Sequence, residues 1–288
     1  MEALQESRTI KSDQIDSLYY IVDTRNLLSI LEKGILAHDT AQKTGVYSKQ
    51  HDISDQGVQR VRRDKNFFSP RSKIKRKLHT YANMYIQPHN AMMVVVQREI
   101  SREHLCVLRI DGKILRDRQS EVVITTKNAA CHRARFFAPK DWAPSPFTAR
   151  ALTSSLLSGL PSKKWAGRAA FQSSKQSRQS EVLFPEKIEP GYINGVYVHN
   201  DEIKNRVCAM IQSQMPDSYT QPDVMVHPSL FVSPKRGAFG KTLSIIEDVT
   251  NPCRLSEHLD EELTIKVKAS QVSDVEPEPK RTRMGHSS

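Results

Sequence analysis

The chain has 288 residues, of which 38% are hydrophobic, and its formal net charge at pH 7 is +11. This length accommodates one large domain or two small ones. No apolar stretch approaches the roughly 18 residues of a membrane helix, and the first residues lack the apolar segment of a secretory signal. The four cysteines show no Cys-x-x-Cys spacing and predict neither a zinc site nor a disulfide framework. We therefore expect an intracellular protein, cytoplasmic or nuclear, without a membrane partner.

The first predicted elements are a short strand ending near residue 22 and a helix over 24–33, which Gly34 ends. Residues 37–76 are polar and lack periodicity, apart from a short helix expected around 57–63. A loop of this length is usually functional or disordered. A strand is expected over 78–86, whereas residues 90–96 fit either a helix capped by Asn90 or a further strand.

The second half of the chain predicts further strands and one helix. We expect a strand and turn over 105–115, a strand over 122–125, a buried strand over 179–184 and a second apolar run at 196–198. A helix capped by Asp201 and a strand at 224–226 follow. Residues 143–178 have the composition of a mobile insertion. The polar, aromatic-free end of the chain is expected to be disordered.

The positive charge is concentrated in two runs. Residues 60–77 contain nine Lys and Arg against one acid, and residues 163–178 contain five basic residues and no acid. Either run alone is compatible with a solvated loop. Because both lie near candidate catalytic residues in the sequence, we predict a basic rim around an active site that binds a phosphate backbone.

The strongest single signal is Glu181, a carboxylate at the start of an apolar run. A carboxylate at the mouth of a buried strand costs free energy unless it is paired or used. Gln179 and Glu181 are two residues apart, so on a strand they would share a face. A surface ion pair is the alternative interpretation for Glu181. No glycine-rich phosphate loop supports a P-loop or a dinucleotide-binding βαβ unit.

Four segments in a definite order carry a resemblance to a known family. They are residues 18–34, residues 58–63 with their arginines, residues 78–93 and residues 179–183. This order resembles the DarT family of DNA ADP-ribosyltransferases, toxins that move ADP-ribose from NAD onto a base of single-stranded DNA. The resemblance covers residues 18–232 and leaves 1–17 as an extension and 233–288 as a weakly structured tail. It implies an α+β ADP-ribosyltransferase fold, a pair of packed, mainly antiparallel sheets around a central NAD cleft.

The resemblance also implies roles for individual residues. Glu181 and Arg62 fall at the catalytic positions. Arg60 and Arg63 lie so close to Arg62 in the sequence that either could align with the catalytic arginine instead. The residues expected to bind NAD, which is consumed as a substrate, are Tyr20, Asn26, Gly34, Tyr81, Tyr85 and Met92. Those expected to bind nucleic acid are His79, Lys73, Lys75, Lys77, Arg178 and Gln179. No metal is expected, and the implied partners are single-stranded DNA and an antitoxin that removes ADP-ribose.

The residue types suit this chemistry. Cleavage of the nicotinamide–ribose bond builds positive charge on the sugar, as in glycoside hydrolysis, and a carboxylate beside the ribose stabilises that charge. The same carboxylate could accept the proton that the attacking base loses. An arginine can hold a pyrophosphate by bidentate contacts.

Two departures from the family pattern leave alternatives open. Tyr20 and Val22 stand where the family often has a His-x-Thr pair, and residues 89–92 read His-Asn-Ala-Met where thymidine-modifying members have Arg-Ser-Pro-Met. The second departure looks closer to a guanine-modifying branch, so the target base is guanine or thymine. The alternatives are a transferase that acts on RNA or protein, and an inactive nucleic-acid-binding module.

Overall fold

The computed structural model describes residues 15–47, 51–88, 90–142, 178–216 and 218–231. The predictions for residues 1–14, for 143–177 of the insertion and for the tail from 232 onward lie outside the described residues. Ile15 is buried in the core, and the first strand begins at Ser17. Both lie before the predicted domain boundary at residue 18, which stays a prediction.

The described strands form one eight-stranded sheet and two two-stranded sheets. In chain order they are β1 (Ser17–Asp23), β2 (Ile35–Leu36), β3 (Asn66–Phe68), β4 (Lys75–Lys77), β5 (Tyr81–Tyr85), β6 (Leu105–Asp111), β7 (Val123–Thr125), β8 (Phe136–Phe137), β9 (Glu181–Pro185), β10 (Lys187–Ile188), β11 (Ile193–Val198) and β12 (Asp223–Val226). The helices are α1 (Leu27–Lys33), α2 (His38–Lys43), α3 (Gln56–Asp64), α4 (Ala91–Glu99), α5 (Ile114–Asp117) and α6 (Asp201–Gln214).

The large sheet has the order β12-β11-β6-β1-β5-β9-β7-β8 and is antiparallel except where β11 meets β12. Strand β1 pairs with β6 along its whole length, from Ser17 to Asp23, but meets β5 only where Tyr19 faces Tyr85. The sheet therefore consists of two halves joined at one residue pair. Both halves belong to one sheet, and the α+β fold class with mainly antiparallel strands is confirmed.

Local sequence explains the connection between the first strand and α1. The Asp23 side chain accepts a hydrogen bond from the Arg25 backbone N–H at 2.9 Å and begins a short 3₁₀ helix that leads into α1. Gly34 ends α1 with φ at +88°. A Cβ atom at this position would lie 2.1 Å from the Ile188 carbonyl oxygen, so both the backbone angle and the close approach require glycine.

Several element predictions are wrong in detail. Residues 78–80 form a 3₁₀ helix, because the Leu78 N–H bonds the Lys65 carbonyl and turns the chain before β5 begins. Residues 114–117 form α5, and the N-cap of α6 is Asn200, whose side chain accepts from the Ile203 N–H at 2.9 Å.

The sequence left residues 90–96 open between a helix and a strand. The structure shows helix α4 over residues 91–99, capped by Asn90, which is the first of these two interpretations. In the described ranges, no helix combines the length and the apolar character needed to cross a bilayer.

Candidate active site

A cavity opens where the two halves of the sheet meet. Strand β1 contributes Tyr20 and Val22 to its wall, and the opposite half contributes Tyr85 and Glu181. All eight residues predicted to be catalytic or to bind NAD line this cavity: Glu181, Arg62, Tyr20, Asn26, Gly34, Tyr81, Tyr85 and Met92. The fold thus brings together segments that are up to 161 residues apart, from Tyr20 to Glu181.

The centre of the cavity is an ion pair between Arg62 and Glu181. The Nη1 atom of Arg62 donates to Oε2 of Glu181 at 2.9 Å, and the side chains are only 4% and 1% exposed. Oε1 of Glu181 and Nη2 of Arg62 have no hydrogen-bond partner among the described residues. The pair is therefore held on one side and has one free acceptor and one free donor on the other.

Of the three candidate arginines, Arg62 is the one that contacts Glu181. Arg60 and Arg63 lie on the same helix but are exposed, whereas Arg62 is the buried residue of α3. Nη1 of Arg62 is bonded to Glu181, and Nη2 has no hydrogen-bond partner among the described residues. The predicted contact of this arginine with a pyrophosphate stays a prediction.

Further contacts hold the same carboxylate oxygen and the backbone of Glu181. The Ala129 N–H donates to Oε2 of Glu181 at 3.1 Å, and the Glu181 N–H donates to the hydroxyl of Thr125 at 2.9 Å. Asn128 accepts from the Ala130 N–H at 2.9 Å and so shapes the turn that presents Ala129. Sequence analysis did not identify these partners, because a backbone N–H is present in almost every residue type and so cannot be recognised from the sequence.

Glu181 is the first residue of β9, whereas Gln179 lies in the turn before that strand. The prediction that the two side chains share a strand face is therefore wrong. Pairing of β9 with β5 begins at Tyr85 and Glu181, so residues 179 and 180 have no neighbouring strand to keep them extended.

Two tyrosines beside the ion pair are neutral hydrogen-bond donors at physiological pH. Burial, reinforced by the Asp52 carboxylate and opposed by Arg62, raises the pKa of Tyr20 to about 12. Burial raises the pKa of Tyr85 further, and the nearby Glu181 carboxylate adds to this effect. Both phenols therefore keep their protons at neutral pH.

The long polar segment after α1 forms another wall of the cavity. Its His38, Tyr47 and Asp52 line the site, and the Tyr47 hydroxyl donates to Oδ2 of Asp52 at 2.9 Å. Burial alone would raise the pKa of Asp52, but hydrogen bonds from Ser54, Tyr47 and Gln56 outweigh it and hold the pKa below its ordinary value. The sequence flagged this segment as functional or disordered, but aperiodic polar residues gave no signal for these particular side chains.

Asn26 and Gly34 line the cavity but also have structural tasks. The Asn26 amide donates to the His51 carbonyl at 2.8 Å and ties the first helix to the loop. Gly34 permits the close approach to Ile188. The predicted contacts of Asn26 and Gly34 with NAD stay predictions.

His79 was predicted to bind nucleic acid, but it is 2% exposed and lines the cavity. Its Nε2 lies 3.1 Å from the backbone and side-chain oxygens of Gln59, and its Nδ1 lies 3.5 Å from Asp39. Burial, helped by the neighbouring His38 and opposed by Asp39, lowers the pKa of His79. His79 therefore belongs to the cavity wall rather than to an outer surface.

The other residues predicted to bind nucleic acid divide into two groups. Lys73, Lys75 and Lys77 are exposed on the hairpin of β3 and β4. Arg178 and Gln179 are 2% and 8% exposed and lie just before Glu181. Burial lowers the pKa of Arg178. In this conformation Arg178 and Gln179 lie beneath the surface, so the structure does not bring them together with the hairpin lysines.

Comparisons with known proteins agree with the fold. A family model described as "ssDNA thymidine ADP-ribosyltransferase, DarT" matches residues 19–232. A curated Thermosipho africanus protein, named as a fusion of a DNA ADP-ribosyl transferase and a DNA ADP-ribosyl glycohydrolase, is 24% identical over 232 residues, which cover 80% of this chain. The chain spans about half (53%) of the length of that relative.

Two solved structures from Thermus sp. 2.9 share the fold. DarT in complex with ADP-ribosylated ssDNA matches with a TM-score of 0.59 and 18% identity, covering 78% of this chain and 100% of that one. DarT in complex with NAD+ matches with a TM-score of 0.54 and 18% identity, covering 76% and 98%. Since the family model matches most of the sequence and the fold agrees, the chain belongs to the DarT family of ssDNA thymidine ADP-ribosyltransferases.

Proposed function

We propose that this chain is an NAD-dependent mono-ADP-ribosyltransferase that modifies a base of single-stranded DNA. The observation that carries the proposal is the buried Glu181 carboxylate, which lines the cavity, is held by Arg62 and the Ala129 N–H, and has no hydrogen-bond partner for Oε1 among the described residues. A preorganised carboxylate of this kind suits a reaction in which positive charge develops on a sugar.

In the proposed reaction the bond between the ribose anomeric carbon and the nicotinamide nitrogen breaks, and nicotinamide leaves with the bonding electron pair. The free Oε1 of Glu181 accepts a hydrogen bond from a ribose hydroxyl, and the carboxylate charge stabilises the oxocarbenium-like sugar. A nitrogen of the DNA base then bonds to the anomeric carbon. That nitrogen loses its proton to Glu181 or to water.

Arg62 acts in this scheme as a positioning residue for Glu181. Its planar guanidinium holds one carboxylate oxygen through Nη1 and leaves Nη2 to contact a phosphate or ribose oxygen of NAD. The neutral Tyr20 hydroxyl can donate one hydrogen bond to NAD, whereas Val22 offers none. We therefore expect NAD to bind, with one contact fewer than in family members that carry His-x-Thr in this strand.

Thymine is the target base that we propose first, because the family description names thymidine. The Asn90 side chain accepts from the Met92 and Met93 N–H groups, at 2.9 and 3.3 Å, and caps α4. Serine and asparagine are both good N-caps, and either proline or alanine suits the next helical position. The exchange of Ser-Pro for Asn-Ala thus has a structural reason, although guanine remains the second candidate.

We further propose an intracellular location, where NAD and DNA occur together, and an antitoxin partner that removes ADP-ribose. The Thermosipho relative supports this partner, because it is named as a fusion of a transferase to a DNA ADP-ribosyl glycohydrolase.

The direct test is incubation with NAD and single-stranded oligonucleotides that contain thymine or guanine as the only variable base, followed by mass spectrometry. We expect an added ADP-ribose on the thymine strand and release of nicotinamide. Single-stranded RNA and an unrelated protein serve as competing acceptors. Modification of these acceptors but not of DNA would overturn the proposed substrate, and no transfer to any acceptor would overturn the proposed activity.

A further inference from the structure

The hairpin of β3 and β4 exposes an aromatic side chain beside a buried one. Phe67 is 5% exposed and stacks on Phe136, with a ring-centroid distance of 4.4 Å. Phe68, the next residue, is 67% exposed. Successive side chains of a strand point to opposite faces, so the same strand anchors the hairpin with Phe67 and presents Phe68 to solvent.

The outer face of the hairpin combines this aromatic ring with positive charge. Phe68 lies directly opposite Lys75, and Asn66 lies opposite Lys77. Opposite residues of an antiparallel pair point to the same face, so Asn66, Phe68, Lys75 and Lys77 form one surface, which we call the hairpin face. Residues 65–77 contain six Lys and Arg and no acid. Within the described part of the chain, no carboxylate pairs with Lys75 or Lys77.

The hairpin is fixed next to the cavity. At the open end of the hairpin, the Leu78 N–H donates a hydrogen bond to the Lys65 carbonyl. The Lys65 ammonium donates to the Cys131 carbonyl, in the turn whose Ala129 N–H contacts Glu181. Inside, Phe67 packs against Tyr81, which lines the cavity, with 5.3 Å between the ring centroids. A strand with one base in the cavity would therefore place neighbouring nucleotides near the hairpin face.

We propose that the hairpin face binds single-stranded DNA, with a base stacked on Phe68 and phosphates contacted by Lys75 and Lys77. The inference rests on the proposed function, to which it adds the residue that contacts a nucleotide flanking the modified one. An aromatic ring between lysines matches an unpaired strand, because its bases offer free ring faces and its backbone offers negative charge. A duplex hides its base faces in the stack and would not use Phe68.

Binding of a fluorescein-labelled 12-nucleotide single strand of mixed sequence, measured by anisotropy without NAD, tests the inference. Phe68→Ala should weaken binding by about tenfold, since a stacked base contributes roughly 1–3 kcal/mol and 1.4 kcal/mol is tenfold. Phe68→Trp should retain the wild-type affinity. Ile74→Ala is the matched control, because Ile74 is 52% exposed on the same hairpin but cannot stack.

Two further measurements separate stacking from charge. Phe68→Ala should leave the slope of log affinity against log salt unchanged, because no phosphate contact is removed. On a strand in which every base is replaced by an abasic site, wild type and Phe68→Ala should bind equally. A duplex of the same sequence should likewise not distinguish the two proteins.

The inference is overturned if Phe68→Ala binds the single strand as well as wild type, or if Ile74→Ala weakens binding to the same extent. It is also overturned if the wild-type protein does not bind the strand. Transfer of ADP-ribose by the wild type is measured in parallel. If the wild type transfers ADP-ribose to DNA but Phe68→Ala does not weaken binding, only the stacking role is overturned. If Phe68→Ala weakens binding but the wild type does not transfer ADP-ribose to DNA, the proposed function is overturned.

Discussion

Arg62 and Lys75 belong to one basic run of the sequence, yet they occupy opposite environments. Arg62 is 3% exposed and bonded to Glu181 at the centre of the cavity. Lys75 is exposed on the hairpin face, opposite Phe68. The sequence presents both as members of a basic rim, but the structure divides the run into a buried arginine bonded to Glu181 and an exposed, positively charged hairpin.

The physical reason for the difference is desolvation. A buried guanidinium loses its hydration, and a well-placed partner must offset that loss of free energy. Removing one member of the pair therefore leaves an uncompensated buried charge. Exposed lysines keep their water, and each contributes a small, salt-dependent term when a polyanion binds. Changes in the cavity should therefore abolish chemistry or stability, whereas changes on the hairpin should alter affinity by degrees.

The largest effect is expected from Glu181→Gln. The amide preserves the size of the side chain but removes the negative charge that stabilises the sugar, so transfer should fall on the order of a hundredfold or more. The thermal midpoint should fall less than for an alanine, which would leave Arg62 buried without its partner. Mass-spectrometric transfer assays measure the loss, and Glu202→Gln on the exposed start of α6 is the matched control. Near-wild-type transfer by Glu181→Gln would contradict the assignment.

Arg62→Ala should lose both transfer and stability. It leaves the Glu181 carboxylate buried with the Ala129 N–H as its remaining hydrogen-bond partner among the described residues, at a cost of about 3 kcal/mol in the free energy of unfolding. Arg62→Lys should restore little transfer, because a point charge cannot reproduce the planar fork.

Urea denaturation and transfer assays should show these losses for Arg62→Ala. They should not show them for Arg63→Ala, which changes the exposed neighbour. Equal losses for the two alanine variants would mean that burial of Arg62 does not set its role.

Replacement of Lys73, Lys75 and Lys77 together by Gln should weaken binding to all single strands alike, because phosphate contacts carry no base information. If each lysine neutralises one phosphate, the slope of log affinity against log salt should flatten by about 2. NAD affinity, measured by calorimetry, should stay unchanged. An unchanged slope in the triple variant would remove the hairpin from the DNA-binding surface and leave the cavity as the functional region.

The smallest effect concerns pH. Burial, the neighbouring His38 and Arg62 lower the pKa of His79, while Asp39 and the Gln59 carbonyl oppose them. The folded state therefore resists protonation of His79. Stability should be complete above about pH 6.5 and should fall as the pH drops below the unfolded pKa, until the lowered folded pKa is reached.

Urea denaturation at pH 7.5 and 5.5 measures this loss, which should appear as a smaller free energy of unfolding at pH 5.5. His79→Gln should reduce the pH dependence, whereas replacement of the exposed His132 by Gln should not. The carboxylates with lowered pKa values, Asp23 and Asp52, titrate below this window. An identical pH dependence in His79→Gln and wild type would show that His79 does not resist protonation.

The sequence alone was sufficient to predict the family, the fold class and the residues that line the cavity around Glu181. Glu181 at the mouth of an apolar run signals a buried carboxylate that needs a partner, because the energetic penalty is large and local. The order of four segments then indicates the family and, by resemblance, places Arg62 at a catalytic position without pairing it with Glu181. Helix α1 and most of the strands follow from periodicity, capping and glycine placement.

Only the tertiary structure decided which arginine faces Glu181 and where the other charges lie. Arg60, Arg62 and Arg63 are nearly adjacent on α3, and only the packing of that helix against the cavity buries one of them. The same holds for His79 and Arg178, which look like surface charges in the sequence and are buried by residues distant along the chain. Burial and pairing are sums over long-range contacts, and local residue patterns do not encode such sums.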